Sequence, residues 1–518
     1  MRRRAYISVF DKDDIVDFAK ELIKNKFEIV STGGTYDLLK KNGILATEVS
    51  EVTGFPEMLS GKVKSLHPAI FGGILADVTK STEVSEIQKL NICPFDMVVV
   101  NLYPFEKIAQ QTDNVDELIK NIDIGGVALL RAGAKNYKNV TVICDKSDYN
   151  RAINANESLR QEFALKTFEL TSNYDSIIYS KLSEQFNSVG QEYIYPCSTY
   201  RFKKVQDLRY GENPHQKAGL YEFCQGGLGN PPYHSPLTIH YSLLWGKELS
   251  YNNILDMTAA TNIVSEFYDV PAVAIVKHLA PCGVALGKNI LEAYQKAFDC
   301  DPISAFGGIV AFSQEINEEV AKLLNSVFLE VIIAPSYTEK ALEILKSKKN
   351  IRLIKLGTSL EQYKQVSNEE IKITPFGVLI QEADKKELDK DTFKVVTKVK
   401  PTTEQIEDAI FAWKVCKHAK SNAIVIAKNF KTLAIGQGQT NRVCTMEWAL
   451  DYACDKSKDA VAASDGFFPA IDNIQAAVQG RIGLIIQPGG SIKDNDVIAE
   501  ADKYGIAMIT TGIRHFKH

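Results

Sequence analysis

The 518-residue sequence lacks several features that would fix its class at once. Its nine cysteines are dispersed and none forms a C-x-x-C pair, which argues against a disulfide framework and fits a chain that keeps its thiols reduced. Its eight histidines form no H-x-E or H-E-x-x-H pattern, so no metal is expected to be needed. Apolar runs such as MVVV at 97–100 are far too short to span a bilayer, so no membrane partner is expected. Met1 precedes three arginines, but charge returns at Asp11 before any apolar segment of secretory length, so a cytoplasmic location is expected. With 60 basic and 64 acidic residues the net charge is −4, and no nucleic-acid partner is expected.

What is present is an ordinary globular composition, 45% hydrophobic and 24% charged. The length exceeds one core and predicts roughly two to four domains. AYISVF, FEIVST, FDMVVVNLYPF and VTVICD read as strands between helical segments. That alternation predicts an α/β fold with a parallel sheet covered on both faces. Asp11 is placed to cap the first helix, whose Ile15, Ala19, Leu22 and Ile23 share a face. From Ser188 to Gln206 the rhythm is lost, and a domain boundary is expected there. Beyond it, VAIVKH and SNAIVIA hint at a duplicated unit.

Several stretches have the residue types of a ligand site. Ser31, Thr32, Gly33, Gly34 and Thr35 follow a strand and open a helix, where free N–H groups and hydroxyls suit a phosphate. A plain strand-to-helix turn would look the same. The loop is neither a Walker A motif nor G-x-G-x-x-G. Lys12, Lys62 and Lys64 can reinforce the anion site, the last two from one face of an extended segment. Tyr103 ends a buried strand, Asp123 precedes two glycines, and Lys135 lies in a small-residue stretch. Their convergence near a phosphate would suit proton transfer, although each alone reads equally as structure. Arg209 can fork onto a phosphate or carboxylate, and Phe467 with Phe468 could sandwich a flat ring. PGGS at 488–491 supplies turns that could admit a ligand. Lys277 and His278 put a cation beside a titratable ring at a strand end, which suits an active site or a solvated terminus.

Thirteen stretches in order, from STGGT, TGFPEML and VKSLHP through DLRYGENPHQ, IVKHLAPCGVA and DPISAFGGIVAF to SDGFFP and QPGGSI, with a terminal RHFKH, resemble one family over essentially the whole chain. It is the bifunctional purine-biosynthesis family that joins AICAR transformylase to IMP cyclohydrolase. The resemblance implies a cyclohydrolase domain over 1–195 with a methylglyoxal-synthase-like, Rossmann-like parallel sheet. Two cytidine-deaminase-like α/β subdomains without the zinc, over 200–375 and 376–518, would carry the transformylase. It implies a homodimer with the transformylase site at the subunit interface, small-molecule substrates, and 10-formyltetrahydrofolate as co-substrate.

Carried over residue by residue, the resemblance makes His278 the base for formyl transfer, Lys277 its charge-stabilising partner, and Asn422 the amide that holds His278 and the formyl oxygen. Arg209, Tyr210, Phe306, Gly307, Asp465 and Arg442 fall in nucleotide- or pocket-lining positions. Lys135, Asp123 and Tyr103 would move protons in cyclisation, while Ser8, Lys12, the STGGT loop, Lys62, Lys64 and Ser65 hold substrate. Departures are Phe10 for a usual Ser or Thr, Lys62 for a frequent arginine, and Ala280, Tyr137 and Ala470. A cyclohydrolase with a folate-free scaffold and a non-catalytic nucleotide sensor are the rival readings. Intact Lys277, His278 and Asn422 oppose the first, and intact Lys135, Asp123 and Tyr103 the second.

Overall fold

Five short apolar segments of the first 143 residues pair side by side in a sheet of order β3-β2-β1-β4-β5. They are β1 (Arg3–Val9), β2 (Phe27–Ser31), β3 (Ala46–Glu48), β4 (Met97–Asn101) and β5 (Thr141–Ile143), and every pairing is parallel. Ala5, Tyr6 and Ile7 of β1 and Met97 to Val100 of β4 are buried on both faces, as helices covering a parallel sheet require. The computed structural model describes residues 3–61, 63–186, 200, 202–223, 239–366, 369–388 and 393–518. Described residues before position 202 form one compact unit and those from 202 onward another.

The helix Ile15–Lys24 buries Ile15, Phe18, Ala19 and Leu22 but leaves Ile23 exposed, so Phe18 takes the place expected for Ile23. Asp11 is not its cap. Asp14 holds the N-cap position in a left-handed conformation, and Asp11 instead accepts the N–H of Asp13 one turn earlier (3.0 Å).

The second unit is built on a twelve-stranded sheet flanked by two separate hairpins. The first hairpin is β6 (Phe202–Leu208) with β7 (Ala218–Phe223). The sheet's first half takes β8 (Tyr241–Trp245), β9 (Ala272–Lys277), β10 (Ala280–Leu286), β11 (Ile309–Phe312), β12 (Val331–Ala334) and β13 (Arg352–Leu356). The second hairpin is β14 (Glu369–Thr374) with β15 (Gly377–Glu382). The other half takes β16 (Lys394–Val395), β17 (Ile424–Lys428), β18 (Lys431–Gly436), β19 (Val461–Ser464), β20 (Leu484–Gln487) and β21 (Ala507–Thr510).

Their order, β16-β21-β20-β19-β17-β18-β10-β9-β11-β12-β13-β8, reads the same from either end when the halves are exchanged. So do the pairing senses: β11 with β12 and β19 with β20 are parallel, while β9 with β10 and β17 with β18 are antiparallel. The duplication therefore matches AIVK–HL with VIAK–NF, two residues from the alignment of VAIVKH with SNAIVIA that the sequence suggested. The halves meet at Ala285 and Lys431, and the Thr432 hydroxyl bridges the N–H and carbonyl of Val284. One core face is continuous across both halves, with Ile263 and Phe267 from one sharing it with Phe411 and Trp413 from the other.

A buried carboxylate ties the halves together on that face. Glu266, 5% exposed, follows the helix Tyr251–Ser265 and meets Lys364 (2.9 Å), Lys417 (3.0 Å) and His418 (3.1 Å). Burial alone would push its carboxyl up, but His418, Lys417 and Lys364 hold it well below the usual carboxylate range. A depressed carboxyl adds stability above its unfolded value, about pH 4, and loses it as pH falls toward the folded value. Glu266→Gln takes the carboxylate from the half-buried Lys417 and one of two carboxylates from Lys364, which keeps Glu387, and is expected to cost about 3 kcal/mol, read as a lower urea midpoint. The variant should also lose the part of the acid sensitivity that Glu266 supplies.

Candidate functional site

In the first unit the carboxyl ends of β1, β2 and β4 converge, the usual ligand edge of an open parallel sheet. Ser8 lies near the end of β1, opposite Val100 of β4. The helix Gly33–Lys41 opens directly after β2, with Thr32 at its N-cap. Ser31 donates its hydroxyl to Ile7 O (2.8 Å) and Thr35 donates to Val9 O (3.0 Å), so both fasten the loop to β1. Thr32 is the exception: its hydroxyl oxygen is buried and has no hydrogen-bond partner among the described residues. Gly33 adopts φ +55°, and a Cβ there would lie 2.8 Å from Lys64 Nζ. A Cβ on Gly34 would lie 3.7 Å from Lys12 Nζ. Two ammoniums thus cover a helix N-terminus beside an unpartnered hydroxyl, an arrangement for a dianionic phosphate.

Lys64 lies in a turn rather than the extended segment expected, and Lys62 lies outside the described residues. Ser65 is buried, its hydroxyl 2.5 Å from the Tyr6 phenol. Sequence reasoning missed Asn101, whose amide accepts the N–H groups of Phe10 (2.5 Å) and Asp11 (3.0 Å) and donates to Asp11 O (3.0 Å). It fixes the loop leading to Lys12. A lone polar residue ending the apolar run MVVVN was the available signal.

Tyr103 and Asp123 come together beside this edge. The Asp123 carboxylate accepts Gly126 N–H (2.7 Å), and a Cβ on Gly126 would fall 2.5 Å from Asp123 Oδ2. Burial pushes the Asp123 carboxyl above its ordinary value, against the pull of the Gly126 and Tyr103 backbone N–H groups. Phe10 stands edge-on to Tyr103, with centroids 5.4 Å apart. Lys135 is not gathered here. It is exposed at the far end of the helix Gly125–Lys135, about 15 Å along the axis from Gly125.

In the second unit, β9 ends at Lys277 and turns through His278 and Leu279 into β10. His278 and Leu279 have φ +53° and +63°, and both are exposed. Asp256, on the helix Tyr251–Ser265, accepts their backbone N–H groups at 3.2 and 2.6 Å. Lys277 Nζ donates to Phe306 O (2.8 Å). Gly307, at φ +75°, donates its N–H to Phe328 O (2.8 Å), which leaves Phe306 59% exposed. Arg209 and Tyr210 follow β6, with the guanidinium 5.6 Å from the Tyr210 ring centroid. Asn252 Nδ2 reaches Glu212 O (3.3 Å), so their loop adjoins the helix that carries Asp256.

Asn422 precedes β17 at the same end of the sheet as His278, with β10 and β18 between them. The strand spacing sets them about 14 Å apart, so Asn422 does not hold His278 within one chain. Its amide donates to Gln439 O (3.0 Å) and accepts from Arg442 Nη2 (2.7 Å). Arg442 and Asp465, expected in the pocket lining, are buried and paired with one another. A buried carboxylate needs a fixed cation, and this pair braces Asn422 from behind. Phe467 and Phe468 form no sandwich: Phe468 is in the core and Phe467 is partly exposed. A cavity of about 320 Å³ opens at the PGGS loop, lined by Gly489, Gly490, Asp494, Lys394 and Thr511.

Among the described residues no group of three or more His, Cys, Asp or Glu could hold a metal ion, and no helix is long and apolar enough to cross a membrane. For the first unit, Lys64→Ala is expected to weaken binding of ribose 5-phosphate about tenfold by calorimetry, as loss of one charge-assisted contact predicts. Lys20→Ala, on the exposed helix face, should leave it unchanged.

Two family descriptions match this chain: an MGS-like domain over residues 14–128 and the AICARFT/IMPCHase bienzyme over residues 133–452. A bifunctional purine biosynthesis protein PurH of Anoxybacillus flavithermus is 48% identical over 533 residues, covering 100% of both chains. The proteins of that name from Acetivibrio thermocellus and Bacillus cereus are 47% and 46% identical, again over 100% of both chains.

Proposed function

The chain belongs to the AICARFT/IMPCHase bienzyme family, and from that premise we propose which of its residues carry the two reactions. It is a bifunctional enzyme of purine biosynthesis. It transfers the formyl group of 10-formyltetrahydrofolate to the 5-amino group of AICAR, and it cyclises the resulting FAICAR to IMP with loss of water. Cyclisation is assigned to residues 1–195 and formyl transfer to two repeats, 200–375 and 376–518. The second boundary falls in the turn between β14 and β15.

In formyl transfer, the 5-amino nitrogen of AICAR attacks the formyl carbon and the bond from that carbon to N10 of the folate breaks. The attacking amine sheds a proton, and His278 is the acceptor, its imidazole exposed at the sheet edge. The leaving N10 gains a proton, with Lys277 as the cation beside it. Asn422 has two amide N–H groups and commits one to Gln439, so the other can meet the formyl oxygen as charge develops.

The observation that carries this reading is the spread of the set along one sheet edge. His278 and Asn422 flank β10 and β18 without touching, which suits a site completed by a second copy of the chain. Mixing and re-equilibrating His278→Ala with Asn422→Ala chains should then restore up to about a quarter of wild-type formyl transfer, because half the dimers would hold one intact composite site. Two inactive parents giving an inactive mixture would confine the site to one chain.

In cyclisation, the carboxamide nitrogen of FAICAR attacks its own formyl carbon, and the formyl oxygen leaves as water. Lys12, Lys64, Thr32 and the N-terminus of the helix Gly33–Lys41 hold the ribose phosphate, while Asp123 accepts the carboxamide proton beside the Tyr103 phenol. Lys62 is kept as a substrate-binding residue from the resemblance alone. Lys135 is proposed to act outside this cluster, since the helix carries it away from Asp123. Asp123 must be ionised to accept a proton and its carboxyl is raised, so activity appears as pH rises through that value. The acid limb of the cyclisation profile is expected above the usual carboxylate value of about 4, and Asp123→Asn should abolish cyclisation while formyl transfer persists.

A further inference from the structure

The two halves of the second unit build the same frame around a tight turn, and only one of the frames holds a histidine. In the first half, Asp256 receives the N–H groups of His278 and Leu279 at 3.2 and 2.6 Å. In the other half, Asp408, on the helix Thr403–Cys416, receives those of Asn429 and Phe430 at 2.8 and 2.7 Å. All four turn residues are left-handed, with φ between +53° and +63°. Lys277 Nζ donates to Phe306 O (2.8 Å), and its counterpart Lys428 Nζ donates to Lys458 O (2.8 Å). The frame is therefore a property of the repeated fold, and catalysis is an addition made at one of its two copies.

A two-residue turn of this kind favours Asn and Gly, which tolerate positive φ. Asn429 meets that preference and His278 meets it in part, but in the pair His278 and Leu279 the leucine has neither glycine's missing Cβ nor a short polar side chain, so its left-handed backbone is opposed. Their turn depends on the carboxylate that gathers both N–H groups. Turned the other way, the imidazole would leave the sheet edge on a different line.

We infer that Asp256 is a positioning residue of formyl transfer, whose carboxylate holds His278 and Leu279 left-handed and so sets the direction of the imidazole. This rests on the reading of His278 as the proton acceptor. Asp256 touches no substrate in this role and acts through the two backbone N–H groups. Asp408 supplies an internal control, since the same bonds there support a turn with no chemistry.

Four variants test it: Asp256→Asn, Asp408→Asn, His278→Ala, and Asp256→Asn combined with Leu279→Gly. Each is assayed for formyl transfer and for cyclisation of supplied FAICAR. Asp256→Asn keeps one acceptor oxygen but opposes the other N–H with an amide N–H, so kcat for formyl transfer should fall about tenfold to a hundredfold, the scale of a small misplacement. KM for AICAR should stay within about twofold, because the loss is of transition-state geometry rather than binding. Cyclisation should be unchanged, and Asp408→Asn should keep formyl transfer within about twofold. Adding Leu279→Gly, which tolerates positive φ, should recover at least about threefold of the lost kcat.

Wild-type kcat in Asp256→Asn, an equal loss in Asp408→Asn, or no recovery with Leu279→Gly would overturn the inference. If Asp256→Asn does not fold by circular dichroism, Asp256→Glu decides: lowered kcat at unchanged KM supports the inference and full kcat overturns it. Retained formyl transfer in His278→Ala would sink the underlying reading. An inactive His278→Ala beside a fully active Asp256→Asn would sink the positioning role alone.

Discussion

The second unit depends on the junction between β10 and β18. Ala285 faces Lys431 there, Leu286 donates its N–H to Phe430 O, and the Thr432 hydroxyl closes on the backbone of Val284. Two six-stranded halves become one sheet through these few bonds. Because strands pair with a period of two, a slip of one residue would turn the buried faces outward and displace every residue placed at the sheet edge. The register that puts Ala285 on Lys431 also brings the end of β9 and the start of β17 to the same side. That is how residues 144 positions apart in sequence, His278 and Asn422, come to face the same solvent-filled edge. The Glu266 cluster on the common core face resists rotation of one half against the other, since its cations come from helices of both.

The first unit handles its ligand differently. A parallel sheet ends its strands on one side, and the helix after β2 begins at that side with its N–H groups unpaired within the helix. Gly33 lets the Lys64 ammonium lie where a Cβ would otherwise crowd it, while Gly34 leaves Lys12 at ordinary contact distance. The Ser31 and Thr35 hydroxyls fasten the loop to β1, leaving the Thr32 hydroxyl uncommitted. In the proposed phosphate site the attraction would come from backbone direction and the Lys12 and Lys64 ammoniums, with no hydroxyl required at Phe10. The aromatic ring packs against Tyr103 instead and helps to set the phenol's position.

The strands, the strand-to-helix turn at Gly33 and the lysine–histidine turn were legible because each follows from local pattern: apolar runs, a glycine pair, a charge at a strand end. Errors arose where a side chain's partner lies far away in sequence. Arg442 and Asp465 resemble ligand-facing charges until their burial against each other is known. Phe467 and Phe468 are adjacent in sequence yet face opposite environments. Lys135 and Asp123 lie twelve positions apart in sequence, but a helix of eleven residues separates them. Asp256 could have been found by aligning the halves correctly, for Asp256 in Ile254-Leu255-Asp256 stands 22 residues before its turn and Asp408 in Ile406-Glu407-Asp408 stands 21 before its own. Cross-repeat comparison detects a frame that composition and periodicity pass over.

The exposure of the formyl-transfer set carries a final consequence. An imidazole and an ammonium open to bulk water have their charges screened, and a developing charge on a formyl oxygen would be solvated rather than held by an oriented amide. The Asn422 amide is oriented by Arg442 and Gln439, and the His278 backbone is held by Asp256. Such orientation has no value for a side chain that faces only water, because nothing selects its direction. Two such groups on one edge, about 14 Å apart by strand spacing, fit the proposal that protein from a second copy supplies the missing wall. On that proposal, dehydration and completion of the site would be a single event, the approach of a second copy of the same edge.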